Sequence, residues 1–243
     1  YLLSDLAKCA WVSIKEFFKI ISPNLPEAVP AATITIQSFG NLLDFNPHLY
    51  GIIANGCFQD DTFYPIPHKI IIQNTHILAQ IFREKVIDML ISSELLSQTL
   101  ASKILKWNHN SGFSVHCDVM IKAGDKEGSE KLARYIMRNP VAQSKITIGN
   151  DGTIFYQSKA VNPNHKGNFR IFKDPLEFLA EVTQHIPPRN FQMVRYYGYY
   201  SNASRGKRNK EHELLREDPE FKLEIETSKK MPKSVRKSWA RLI

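Results

Sequence analysis

Tyr135 stands between Arg134 and Arg138 in the stretch Gly112–Pro140, GFSVHCDVMIKAGDKEGSEKLARYIMRNP. A phenol held among cations can attack phosphate, because guanidinium and ammonium groups nearby stabilise both phenolate and phosphoryl charge. The same stretch also admits a helix tyrosine packed at the edge of a core. A second candidate is His48, two residues before Tyr50, so that both side chains leave one face of a strand. A His-x-His pair placed this way chelates a divalent cation, which would polarise a phosphoryl oxygen. Here only His48 is an obvious ligand, because a neutral phenol binds metal poorly. His116 is a candidate second ligand from a neighbouring strand, and the carbonyl oxygen of Asn46 could reach the same place. Against this, a lone strand histidine is more commonly structural.

Two further groups suit a polyanion. In Val194–Tyr200, VRYYGYY, alternation puts Arg195, Tyr197 and Tyr199 on one face and Tyr196 and Tyr200 on the other. Aromatic rings interleaved with arginine form a stacking platform for unpaired bases, each stack worth about 1–3 kcal/mol. A core strand with inward tyrosines is the other reading. Arg205, Lys207, Arg208 and Lys210, then Lys229, Lys230, Lys233, Arg236 and Lys237, suit phosphate contacts or a plain solvated surface. There is no P-loop, GxGxxG, GxSxG or HExxH signature.

The elements that must position these residues are legible in outline. Phe113, Val115, Cys117 and Val119 alternate with Ser114, His116, Asp118 and Met120, which predicts a half-buried strand. A Gly124-Asp125 turn leads into an amphipathic helix carrying Tyr135, with Asp125 and Glu127 at its N-terminus and Pro140 beyond its end. Upstream, residues 3–21 predict a first helix and Ala32–Gln37 a strand. His48–Ala54 predicts a second strand, closed by a hairpin turn at Asn55-Gly56. Phe58–Pro67 reads as a loop or short hairpin. Two helices are expected between Lys69 and Trp107. Lys145–Gln157 predicts a hairpin around Asn150-Asp151-Gly152, and Phe169–Phe172 another strand. Asp174 and Pro175 open a helix to about His185, and Phe191–Tyr200 reads as a last strand. The pattern is α+β, an antiparallel sheet mixed with helices.

With 243 residues, 43% hydrophobic and 23% charged, the composition suits one globular domain with appendages. The net charge of +8 points to a polyanionic partner, nucleic acid before membrane. No apolar run reaches the ~18–20 residues of a spanning helix. Cys9, Cys57 and Cys117 form neither a disulfide framework nor a CxxC pair, which suits a reducing cytosol. A start at Tyr1, within a helical pattern, leads us to expect a fragment of a longer protein.

Three segments taken together, QSFGNLLDFNPHLYGIIANGCF, GFSVHCDVMIKAGDKEGSEKLARYIMRNP and VRYYGYYSNASRGKR, resemble the rolling-circle transposases of bacterial insertion sequences, including the common-region elements linked to resistance genes. These belong to the HUH class of single-strand nucleases, and the resemblance runs from about Thr33 to Ile243. It implies a five-stranded antiparallel sheet of RRM/ferredoxin-like type flanked by helices. It also implies a divalent metal, Mg²⁺ or Mn²⁺, on the central strand and a tyrosine nucleophile on a nearby helix. Tyr135 falls in the block Arg134-Tyr135-Ile136-Met137-Arg138-Asn139-Pro140. On this resemblance it would attack a DNA phosphate to give a 5′-phosphotyrosine and a free 3′-hydroxyl. The metal would lie near His48 and His116, and Arg134 and Arg138 would hold the backbone.

Some relatives carry a second tyrosine one helical turn earlier. That position is Lys131, so the chain resembles the single-tyrosine type. Where relatives read His-Pro-His-Leu-His, this chain has Asn46-Pro47-His48-Leu49-Tyr50, and the cysteine-rich zinc segment that precedes the catalytic domain in relatives is not in this sequence. The expected organisation is a catalytic domain over 1–200 and a basic, partly helical extension over 201–243. The expected partner is single-stranded DNA in the bacterial cytoplasm, at the nucleoid, with no membrane and no small-molecule substrate. Loss of the second histidine leaves an alternative, a decayed copy that only binds single strands. An RNA-binding module of similar architecture is a third reading.

Overall fold

A computed structural model describes residues 2–107, 112–137, 139–162 and 167–217. The architecture is α+β, with two antiparallel sheets and seven α-helices among the described residues. Helix α1 (Leu2–Ile21) precedes strands β1 (Val29–Phe39), β2 (Phe45–Gln59) and β3 (Thr62–Pro65). Helices α2 (His68–Gln73), α3 (Thr75–Ser92), α4 (Gln98–Leu105) and α5 (Lys126–Ile136) follow. Strands β4 (Ile146–Ile148), β5 (Ile154–Asn162) and β6 (Gly167–Phe172), helix α6 (Pro175–Thr183), strand β7 (Val194–Gly198) and helix α7 (Asn202–Glu217) complete the order. The first sheet runs β3-β2-β1-β7 and the second β4-β5-β6. Among the described residues, a four-stranded and a three-stranded sheet stand in place of the single five-stranded sheet implied by resemblance. No described helix is long and apolar enough to cross a membrane.

Several local expectations are corrected. The Asn55-Gly56 pair is not a turn but lies inside β2. Asn55 exchanges bonds with Ile66, its carbonyl accepting from Ile66 N at 2.9 Å and its Nδ2 donating to Ile66 O at 2.7 Å. A Cβ on Gly56 would meet the Tyr64 carbonyl at 2.2 Å, so glycine here serves close strand approach. The turn falls at Asp60-Asp61 (φ 48° and 58°), two left-handed residues between the paired Gln59 and Thr62. That is the geometry of a two-residue hairpin loop, which aspartate tolerates.

Residues 113–120, expected as a strand, join neither sheet. Their alternation survives as burial only as far as Cys117: Phe113, Val115 and Cys117 are partly covered and Ser114, His116 and Asp118 exposed, but Val119, expected on the covered face, is 78% exposed. Phe113 meets Phe82 edge-on, with centroids 5.9 Å apart. A period of two marks an extended half-buried chain but names no ladder partner. Between Lys69 and Trp107 there are three helices rather than two.

The chain forms two compact units. The first comprises Tyr1–Ala7, Ile34–Gly51 and Leu132–Arg195. Its core joins Leu42 and Leu43 to Ile154, Tyr156, Phe172 and Phe178. One face of the second sheet therefore packs on α6, while Phe155 and Ile171, opposite one another, point away. Asp174 starts α6 by accepting from Leu176 N at 2.9 Å. The β4–β5 turn is held by Asp151, whose Oδ1 accepts from Thr153 N at 3.0 Å and Oδ2 from the Thr153 hydroxyl at 2.8 Å.

His185, just past α6, is the device that fixes the approach to β2. Its Nε2–H donates to the Leu43 carbonyl at 3.0 Å, leaving Nδ1 to accept from the Ser38 hydroxyl at 3.0 Å. A buried imidazole with both nitrogens satisfied is stabilising, and either partner lost would leave a costly orphan. Leu43 itself sits at φ 65°, so the bend between β1 and β2 is pinned where the backbone is least comfortable.

The second unit comprises Lys8–Thr33, Ile52–Lys131 and Tyr196–Ile243. In it α1 buries Ile14, Phe17 and Phe18 at helical spacing, and α3 buries Leu78, Ile81, Val86 and Ile87. Lys85 bridges to Glu16 at 3.0 Å across these helices. Gly198 ends β7 at φ 60°, where a Cβ would come within 2.0 Å of the Pro30 carbonyl and 2.6 Å of the Trp11 ring. Gly198→Ala is therefore expected to cost about 2–4 kcal/mol, read as a lowered midpoint in thermal or urea unfolding.

Candidate active site

The site lies in the first unit, where β1, β2 and α5 bring four side chains together. On β1 the polar line Thr35, Gln37 is buried, Gln37 being only 2% exposed. His48 enters from β2 and places Nε2 2.9 Å from Gln37 Oε1, with Nδ1 2.7 Å from the Asn46 carbonyl. A carbonyl only accepts, so Nδ1 carries a proton, and Nε2 is the nitrogen free to hold either a lone pair or a second proton.

Two states suit this geometry. In one, His48 is an imidazolium donating from both nitrogens. In the other it is neutral, and the Gln37 amide is turned so that its NH₂ donates to Nε2. The second state also occupies Gln37 Nε2, a buried amide nitrogen that otherwise lacks a partner.

Tyr50 follows His48 on the same strand face, edge-on to it with ring centroids 5.2 Å apart. Tyr135 then meets Tyr50 edge-on, centroids 5.1 Å apart, and the two hydroxyls are 3.1 Å from one another. The three rings form a row, imidazole, phenol, phenol, ending in a tyrosine that is 50% exposed. Helix α5 fixes Tyr135 because Ile136 beside it is buried while Arg134 and Met137 face solvent. Its first turn is capped by Asp125, whose carboxylate accepts from Gly128 N at 2.9 Å.

Of the other sequence-selected residues, Arg134 is exposed on α5 beside the nucleophile candidate, and Arg138 lies outside the described residues. Lys131 is exposed and pairs with Glu127 at 2.7 Å. His116 is exposed on the extended segment of the second unit. Arg195 donates to Ser4 Oγ at 2.8 Å and lies over the Phe191 ring.

The tyrosine platform is largely self-occupied. Tyr197 stacks on Trp11 at 5.4 Å. Tyr199 lies flat on Phe58 at 3.8 Å, with the Arg208 guanidinium 3.7 Å from the same centroid; two groups that close take opposite faces. Burial, with a hydrogen bond to Asp61, raises the Tyr199 phenol above its ordinary pKa. Tyr196 keeps its ring half exposed. Arg205 donates to Asn202 and Lys207 lies near Glu211, both on the exposed surface of α7. Lys229, Lys230, Lys233, Arg236 and Lys237 lie outside the described residues.

Sequence reasoning missed two members. Gln37 ends the strand pattern ATITIQ, and its signal was the polar alternation Thr33, Thr35, Gln37 within a buried strand. Tyr50 reads in sequence as a lost ligand, whereas its hydroxyl meets that of Tyr135.

As a metal centre the row fits a divalent ion only in part. To hold an ion, the Gln37 amide would present Oε1 rather than its NH₂ beside His48 Nε2, and the Asn46 bond selects the tautomer that leaves Nε2 its lone pair. Both donors are neutral, however. Among the described residues no group of three or more His, Cys, Asp or Glu could hold a metal. The thiols do not help: burial pushes Cys57 up to about 11 and raises Cys117 as well. At pH 8 about 0.1% of Cys57 would be thiolate, so alkylation by iodoacetamide, followed by mass spectrometry, is expected to run at least ~100-fold slower than for a free thiol.

The first unit presents a half-exposed Tyr135 beside the strand residues His48 and Tyr50, with the exposed Arg134 on the same helix. Residues 32–208 match the family model described as "Putative transposase", and the chain belongs to that family. No curated protein and no solved structure matches it. Transposases act on DNA, which accords with the net charge of +8.

Proposed function

We propose that the first unit cleaves and rejoins single-stranded DNA in the manner of rolling-circle, HUH-class transposases, with Tyr135 as nucleophile. The observation that carries this is the contact of the Tyr135 and Tyr50 hydroxyls, 3.1 Å apart, beside His48. Tyr135 Oη attacks the scissile phosphorus and the P–O3′ bond breaks. The phenolic proton leaves along the Tyr50 hydroxyl toward solvent, and the departing 3′-oxygen takes up a proton. The products are a 5′-phosphotyrosine and a 3′-hydroxyl, and reversal by another 3′-hydroxyl rejoins the strand.

Arg134 holds the phosphodiester and offsets its charge. Tyr196 offers a ring for an unpaired base, and Arg205, Lys207 and Arg208 supply backbone contacts. Gln37 and His48 would hold Mg²⁺ or Mn²⁺. Such an ion, when bound, supplies positive charge to a phosphoryl oxygen.

The test is a denaturing gel of end-labelled single strands incubated with protein and Mn²⁺. A band shifted by the protein's mass on single strands, and not on duplex, is expected. Salt-dependent binding without any covalent band at any Mn²⁺ concentration would overturn it. A second reading, a single-strand-binding protein that no longer cuts, is favoured by one specific observation: Tyr50 occupies the position that would complete a histidine pair.

A further inference from the structure

A cavity of about 280 Å³ opens between the start of α1 and the loop that leads into β7. Its lining includes Ser4, Arg189, Asn190, Phe191, Gln192 and Arg195, all in the first unit. Two guanidiniums, a hydroxyl and two carboxamides line one space, and the lining holds no carboxylate.

The sequence builds this loop stiffly. After Pro187-Pro188, the Pro188 carbonyl accepts from Phe191 N at 3.0 Å and closes a turn. Asn190, third in that turn, takes φ 65°, the left-handed position of a type II turn, which asparagine tolerates. Arg189 sits at the corner of the turn. Arg195 is held in place: Nε donates to the Gln192 carbonyl at 3.2 Å and a terminal nitrogen to Ser4 Oγ at 2.8 Å. Its guanidinium also lies 5.4 Å from the centroid of the Phe191 ring. Those two bonds leave the remaining N–H groups of the fork for a ligand. Among the described residues neither Arg189 nor Arg195 has a carboxylate partner.

The cavity is separate from the tyrosine row. Ile36 N donates to the Met193 carbonyl at 2.9 Å, so the loop joins the sheet beside β1. Alternation from Met193 keeps Arg195 on the face of Ile36, whereas Gln37 lies on the other.

Charge and size decide the ligand. A space this small takes one compact group rather than a drug-sized molecule. Two forked cations with hydroxyl and amide donors around them match the several oxygens of a phosphate, which a neutral ligand would leave unpaired. The chain belongs to a transposase family, so the phosphates it meets are those of DNA.

We infer that this cavity is a phosphate-binding site that holds one backbone phosphate of the DNA strand between Arg189 and Arg195. The DNA source rests on the strand substrate proposed above, while the phosphate chemistry does not. A strand gripped there is anchored away from the scissile bond, independently of the covalent link.

The test is anisotropy of labelled oligo(dT) without Mn²⁺, with circular dichroism to check that Arg189→Gln folds. The variant is expected to bind about fivefold or more weakly. Its slope of log affinity against log salt should fall by about 0.7, the value of one phosphate contact on a single strand. At constant ionic strength, replacing chloride by inorganic phosphate should weaken wild type and leave Arg189→Gln unchanged. Acetate should weaken neither.

A folded Arg189→Gln with wild-type affinity and slope overturns the strand contact. Calorimetric titration with inorganic phosphate then separates the sources: phosphate binding lost in that variant while strand affinity holds means a free phosphate, and overturns the DNA assignment. Acetate competing as well as phosphate overturns phosphate as the ligand. Absence of any phosphate effect on wild type overturns the site without need of a variant. No arm requires an adduct, so each of these failures leaves the proposed nuclease standing, and a missing adduct leaves the cavity standing.

Discussion

Tyr135→Phe is expected to lower the rate of covalent adduct formation on single-stranded DNA at least ~1000-fold while leaving strand affinity within about twofold. The magnitude follows from what is removed. Without the hydroxyl no other group of the row can form the same phosphoester, and deletion of an enzyme nucleophile commonly costs several orders of magnitude. The fold should be indifferent. The residue is 50% exposed, and phenylalanine keeps the edge-on contact with Tyr50. The exposed hydroxyl–hydroxyl bond to Tyr50 is lost, and such a bond is worth about 1 kcal/mol. Equal adduct yields from wild type and Tyr135→Phe would move the nucleophile elsewhere.

The second large effect concerns the residue beside it. Tyr50→His places a second imidazole on the strand face of His48, two residues on, where both rings can reach one ion. The present donors, Gln37 Oε1 and His48 Nε2, are neutral and few, so an added nitrogen should strengthen Mn²⁺ binding about tenfold or more. Titration calorimetry, or the loss of the free Mn²⁺ spin signal, reads this without reference to activity. An unchanged affinity would mean that this strand face does not hold the ion. The substitution also removes the hydroxyl that meets Tyr135, so a rise in adduct yield would show that added charge outweighs the lost proton path.

Much of this was legible because it is local. The Asp174 cap, the Asn150-Asp151-Gly152 hairpin and the Lys126–Ile136 helix are each determined by residues within a few positions, and each formed as expected. Failures came where partners are remote. Alternation at 113–120 gave a half-covered chain as far as Cys117 but not at Val119, and nothing in it specifies a neighbouring strand. Asn55-Gly56 carries the strongest local turn signal in its region, but cross-strand contacts with Tyr64 and Ile66 use those residues instead.

Within the site the same division holds. His48 and Tyr135 stand out by residue type and charged surroundings. The Tyr50–Tyr135 bond spans 85 positions and Gln37–His48 pairs two different strands, so neither could be read from spacing. The platform tyrosines mislead for a related reason. Alternation separates Tyr197 and Tyr199 from Tyr196, but only packing reveals that Trp11, Phe58 and Arg208 already cover the first two.

The most direct measurement is identification of the amino acid that carries DNA. A single strand incubated with the protein and Mn²⁺, digested with nuclease and protease and analysed by tandem mass spectrometry, should yield a 5′-nucleotide phosphoester on Tyr135 alone. A nucleotide on Tyr50, Tyr196 or any other residue, or a cleaved strand with no modified peptide, would contradict the account.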